Sequence, residues 1–348
     1  MVFFEFLARF FRAAEPAASE PFPPPLAALL PEAMALVADS LDPRLRLAAG
    51  YPHVLEPAVR RSLIFLRALT GDLPAPRRLA PGAWGTDPLV NAVFAQRDDV
   101  TTTLGRSEAL REFFVDASRV AVDEAWAILV FRRAERTVLG MALDGGLLRQ
   151  DVAQTQVSFT DQRLILPAAD HAGLRYAVGA RVLQRLINVA LERIEGIQKR
   201  GLRLADRKAF LATRRRRLAS RAASLEALLD PPEAHAEELA AVDAELEETQ
   251  SNLGATRSSL ATVEDYLAQV IEVLNHPEQH IRVTHTPTRL DRLGVVAQQG
   301  QGSGATNEFV LTEIHLAGQE PRGIAVVRCA RADMPPPEDP LATAARYL

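Results

Sequence analysis

The chain has 348 residues, 48% hydrophobic and 24% charged, which supports two or three domains and at least one full-sized core. A net charge of −4 excludes a global field drawing the molecule to nucleic acid or acidic lipid, so any such attraction needs a local patch. Cys329 is the only cysteine, which excludes an internal disulfide and fits a cytoplasmic protein; no apolar run reaches the roughly 18 residues of a membrane span.

Residues 1–15, MVFFEFLARFFRAAE, carry a helical apolar face of Phe3, Leu7 and Phe10, with Phe4 and Phe11 beside it. Glu5, Arg9 and Arg12 share the other side. Five of the 14 phenylalanines fall in the first 11 residues, so the bias is local. Such a face suits the protein's own body, a groove on a partner, or a membrane surface that would hold the chain peripherally. Residues 16–24 are proline-rich and act as a semi-rigid spacer.

Residues 25–122 read as a helical domain. AVRRSLIFLRAL has helical apolar spacing, and Thr86 or Asp87 ahead of Pro88 signals a helix start. The period then becomes strand-like over 123–172. AWAILVFRR, TVLGMAL, VAQTQVSF and RLILP predict a four-stranded antiparallel meander, with turns at Asp144-Gly145-Gly146 and Thr160-Asp161-Gln162. Strand signals resume over 280–332 with HIRVTH, LGVVAQ, NEFVLTEIHL and GIAVVRCAR, interrupted by the flexible loop QQGQGSGATN. Residues 333–348 form a proline-rich peripheral tail.

Between the two β-rich parts, residues 173–279 predict two long helices, Gly179 to about Leu229 and Glu233 to about Leu274, separated by Asp230-Pro231-Pro232. Alternating steps of four and three run without a slip from Leu183 through Leu204, Leu211 and Leu218 to Leu229, and from Leu239 through Leu246, Leu253 and Leu267 to Leu274. Such a sustained heptad seam is the signature of a coiled coil. Folding the chain at the prolines sets Leu218 against Leu246, Leu211 against Leu253 and Leu204 against Leu260. The result is an intramolecular antiparallel stalk of about 70 Å. Lys208 and Arg215 occupy seam positions and Gly201 thins the packing, giving a polar waist. The predicted fold is therefore α+β: an N-terminal helical domain and a mainly antiparallel β-sheet domain interrupted by a long antiparallel coiled-coil helical hairpin.

The two arms differ in charge. Residues 181–230 hold 13 basic and 5 acidic side chains; residues 233–275 hold 1 basic and 10 acidic. Arg193, Arg200, Arg207, Arg214 and Arg221 recur every seventh residue along one edge of the seam, and Arg214 and Arg221 should meet Glu238 and Glu245. Much of the run Arg214–Arg217 thus selects the acidic return helix. Arg216 and Arg217 must point outward, and Arg200 and Arg207 oppose the uncharged Tyr266 and Ser259, leaving a basic stripe for an acidic partner or for phosphates. Few aromatic residues accompany it, which disfavours single-strand stacking.

Other motifs carry less. His276, His280 and His285 cluster around Glu278, but Pro277 ends the helix before they can share a face, and no metal site is expected. GQGSGAT lacks the Lys-Ser/Thr ending of a P-loop. Cys329 lies in an apolar strand and reads as an inert buried thiol. No catalytic set, cofactor motif or small-molecule substrate is identified. The expected function is structural or adaptor-like, with a protein partner on the stalk and the N-terminal helix as a tether. The alternative is a nucleic-acid-associated protein using the arginine stripe.

Overall fold

A computed structural model describes residues 30–116, 119, 121–144, 147–222, 232–297 and 306–336. The segment 1–15, the spacer 16–24, most of the tail, and the glycines between the first two long strands lie outside the described residues. The fold is α+β. No helix among the described residues is long and apolar enough to cross a membrane.

The helices are α1 (Leu30–Leu41), α2 (Tyr51–Gly71), α3 (Pro88–Val93), α4 (Arg97–Arg106), α5 (Glu108–Val115), α6 (His171–Ala222), α7 (Pro232–Ser258), α8 (Val263–Asn275) and a single turn, α9 (Pro277–His280). The strands are β1 (Arg77–Arg78), β2 (Glu124–Asp144), β3 (Leu147–Ala168), β4 (Ile281–Leu290), β5 (Asn307–Leu316) and β6 (Arg322–Ala330). Contacts divide the chain into two units, and the division does not follow the boundaries read from composition. One unit holds 63–183 with 277 onward; the other holds 28–62 with 184–276.

The first unit is built on one sheet in the order β3-β2-β6-β5-β4, with the short β1 parallel to β6. Where four short strands are expected before α6, there are two long ones of 21 and 22 residues. Thr160-Asp161-Gln162 is not a turn. Asp161 has φ +57°, and around it the pairing moves from Val130–Arg163 to Arg132–Thr160, one extra residue on β3. The local chemistry is that of a turn, since Asp tolerates the left-handed region, but the ladder continues through it as a β-bulge. Asp151 (φ +57°) and Leu166 (φ +56°) mark two more register shifts on the same strand. Each bulge adds twist, so β3 curls the sheet.

LGVVAQ also departs from expectation. It makes only two isolated bridges, Gln156 with Val295 and Leu290 with Val296. The Val157 N–H donates to Gly294 O at 2.8 Å, Val296 N–H to Thr155 O at 2.9 Å and Ala297 N–H to Arg289 O at 3.0 Å. These bonds tie β4 to β3, the two ends of the strand order, and close the curl. Gly294 sits at φ +76°, where a Cβ would lie 2.5 Å from the Val157 carbonyl oxygen, so the closure requires glycine.

Alternation fills the interior. Ala125, Ala127, Leu129 and Phe131 of β2 and Ala325, Val327 and Cys329 of β6 are buried in one core. Leu89, Val93 and Phe94, and Leu104, Leu110 and Phe113 from α4 and α5, complete it. Asp87 starts α3, accepting from Leu89 N and Val90 N, with Pro88 in the first turn.

The second unit is mainly helical. Ser62 Oγ donates to Leu274 O at 2.7 Å, and Ala49 N–H donates to Glu264 Oε1 at 3.1 Å. Most seam positions are covered: Ile187, Ala190, Ile194, Leu211 and Leu218 on α6, and Val242, Thr249, Leu253, Leu267 and Val270 on the return arm, are buried, while Lys208 and Arg215 are exposed. Two features differ from the sequence reading. The return arm is not one helix but breaks at 259–262, where Thr262 and Asp265 form a reciprocal capping box that starts α8. The distal register also differs. Leu211 clusters with Leu218, Leu239, Val242 and Leu246, a group that does not include its expected partner Leu253, and a Cβ at Gly201 would lie 3.7 Å from Thr256, one heptad from the expected Val263. Proline suits the first turn of a helix, and α7 begins at Pro232, while Asp230 and Pro231 of the expected turn lie outside the described residues.

Candidate functional site: the arginine flank of α6

Heptad spacing puts Arg193, Arg200, Arg207, Arg214 and Arg221 along one edge of α6, with Arg203, Phe210 and Arg217 interleaved three and four residues away. Arg193 Nε donates to Gln269 Oε1 at 2.8 Å. Arg214 Nη2 pairs with Glu238 Oε1 at 2.9 Å, and Arg207 pairs with Glu245. Arg207 was expected to face uncharged Ser259; the shifted register gives it the carboxylate instead. Arg215 Nε pairs with Asp243 Oδ1 at 2.5 Å, and that hydrogen bond, with the carboxylate's charge, holds the guanidinium above its usual range. Arg221 is exposed in the last turn of α6.

The next rung breaks the pattern. Both Arg–Glu pairs of this edge repeat at seven-residue steps, which sets Asn252 against Arg200. Among the described residues Arg200, Arg203, Lys208 and Arg217 make no ion pair or side-chain hydrogen bond, and Arg216 reaches only Ala212 O and Thr213 Oγ1, both at 3.3 Å. Phe210 is 57% exposed, with the Arg207 guanidinium 5.6 Å from its ring centre, and Leu202 is 68% exposed. The flank therefore combines unneutralised cations with one protruding aromatic ring, while Leu202 protrudes from a different face of α6. Phe3, Phe4, Leu7, Phe10 and Phe11, the other expected interaction face, lie outside the described residues.

Some groupings were not foreseen. His285 Nδ1 lies 3.0 Å from Thr312 Oγ1 and its Nε2 lies 3.0 Å from Asp72 Oδ2. This acid–imidazole–hydroxyl relay joins residues far apart in sequence, so spacing gave no signal for it. Thr312 is 1% exposed, which withholds its hydroxyl from an external substrate and makes the relay a tie between the end of α2 and the sheet. A cleft of about 760 Å³ is lined by Arg77, Arg133, Arg289, Thr286, Glu308 and Phe309. Each arginine is held by a carboxylate: Arg77 by Asp87 at 2.8 Å, Arg133 by Glu313 at 3.3 Å, Arg289 by Glu308 at 2.5 Å. Its charge is thus largely balanced internally.

The remaining candidates are accounted for locally. His276 caps α8, its N–H donating to Val273 O, while His280 ends α9. Among the described residues no three His, Cys, Asp or Glu side chains meet in a way that could hold a metal. Burial pushes the Cys329 thiol up to about 12, aided by the nearby charges of Glu124 and Asp333. No protein-family model, curated protein or solved structure matches the chain.

Proposed function

We propose that this is a structural or adaptor protein whose hairpin, read as an antiparallel coiled coil, presents the α6 flank to a protein partner within a larger assembly. The observation that carries this reading is the set of exposed, unpartnered cations Arg200, Arg203 and Arg217 on the same flank as exposed Phe210. Aromatic and arginine side chains together are the usual anchors of protein interfaces. A nucleic-acid reading draws on the same cations. Against it, Glu238 and Glu245 share the edge and would repel a phosphate backbone, and Phe210 offers a single stacking ring. The segment 1–15 would act as a tether, on a partner or as a peripheral membrane anchor.

The test is cross-linked capture from the native host with three forms: the full chain, one lacking 200–263, and R200E/R203E/R217E. A stoichiometric protein partner recovered by the full chain and lost by both variants is the expected result. Recovery of nucleic acid alone, released steeply by salt, would move the assignment to the alternative. A partner that binds all three forms equally would remove the flank from the interface.

A further inference from the structure

The two halves of the hairpin are in different registers. Near its base Gln198 Nε2 donates to Tyr266 Oη at 2.7 Å and Arg193 pairs with Gln269. Beyond the break, Gly201 faces Thr256. Three positions along α6, 198 to 201, thus oppose ten on the return arm, 256 to 266. The surplus is seven residues by Gln198–Tyr266 and five by the longer reach of Arg193–Gln269, which on a seam of heptad spacing is one heptad, and it is absorbed where the return arm breaks at 259–262.

Heptad periodicity makes that surplus movable. If α7 slides one heptad, about 10 Å, towards the tip, its seam again meets the seam of α6. Leu218 then faces Leu246 and Leu211 faces Leu253. The polar layers also match, Arg215 with Thr249 and Lys208 with Thr256. The charged edge is equally tolerant, because its arginines recur every seventh residue. Glu245 passes from Arg207 to Arg214, and Glu238 passes from Arg214 to Arg221. The seam of the sequence itself is uninterrupted from Leu239 to Leu274, so in the slid state α7 and α8 can join as one helix. Two contacts favour the arrangement described above: the Thr262–Asp265 capping box and the Arg215–Asp243 pair.

We infer that the hairpin is a two-register device, in which α7 slides by one heptad against α6 while the break at 259–262 opens and closes. This goes beyond the adaptor reading and stands or falls apart from it, since it concerns the isolated chain. Three double-cysteine variants of the full-length protein test it: L218C/L239C for the described register, L218C/L246C for the slid one, and L218C/L253C for neither. Each is oxidised with copper phenanthroline, and intramolecular disulfides are read by mass spectrometry. Paired cysteines whose Cα atoms stand more than about 7 Å apart do not close without backbone movement. Buried Cys329 stays silent. The expected result is closure of the first two pairs and not the third. Adding T262A/D265A, which removes the capping box, should speed closure of L218C/L246C several-fold, and R221A, which removes the new partner of Glu238, should slow it. Failure of L218C/L246C to close even with T262A/D265A, where L218C/L239C closes fully, would overturn the inference. So would equal closure of all three pairs, which would mean general fraying.

Discussion

Gly323 stands directly across from Phe131 on neighbouring strands, and a Cβ at 323 would collide with the ring. The ring occupies the space above the glycine, so G323A should cost about 1–3 kcal/mol of the sheet unit's stability, read by chemical denaturation. Asp87 both caps α3 and grips Arg77. D87A should cost about 1–2 kcal/mol, with D87N recovering part of it by keeping the cap and losing the ion pair. Cys329 gives a sign that is easy to check. Its thiol is pushed up to about 12, so the thiolate is scarce at pH 8 and burial blocks reagent as well. Alkylation should fail in the native protein and go to completion in denaturant. At this scale the sequence was legible wherever the chemistry was local. The Asp87–Pro88 start is a signal of adjacent residues. The Asp161 conformation was legible too, but whether it makes a turn or a bulge depends on β2 continuing alongside. The His285–Asp72 tie spans 213 positions and had no local trace.

Burial follows the period at Ile187, Ala190, Ile194, Leu211 and Leu218 on α6 and at Val242, Thr249, Leu253, Leu267 and Val270 on the return arm, with Lys208 and Arg215 exposed between them. The register was not legible. A heptad repeat constrains alignment only to within seven residues, and the evenly repeating arginines add no information that would separate one alignment from the next. Leu211, fully buried in the distal cluster, is the element's best probe. L211A should cost about 2–5 kcal/mol locally, seen as faster amide exchange in α6 and α7 while the sheet amides stay protected. In the sheet, the four short runs before α6 are two strands, since a bulge interrupts alternation in sequence without ending the ladder. Three register shifts fall on the β2–β3 pair, each marked by a left-handed residue of β3. A D161P variant, unable to hold φ +57°, should lose sheet signal in circular dichroism, whereas D161G should keep it.

The split of the sheet by a helical insertion was visible from the order of strand and helix periods, and β2 and β3 indeed lie in one sheet with β4, β5 and β6. The allotment of 30–62 to the hairpin's unit was not visible, because it rests on contacts such as Ser62 to Leu274. At the hairpin base Gln198 and Tyr266 are within hydrogen-bond distance, so a short glycine-rich turn can replace the residues between them. That variant should keep the sheet's circular-dichroism signature and its unfolding transition, which would show that the distal hairpin is energetically separate. The pairing of β2 with β6 has a consequence for synthesis. β2 forms its ladder with β6 through pairs such as Phe131 with Gly323, so the N-terminal half of the sheet leaves the ribosome nearly 200 residues ahead of the strand that completes it. At typical elongation speeds that is a delay of roughly 10–40 seconds, during which the bonding edge of β2 stands open to other nascent chains, while α6 is made before the acidic arm that neutralises it.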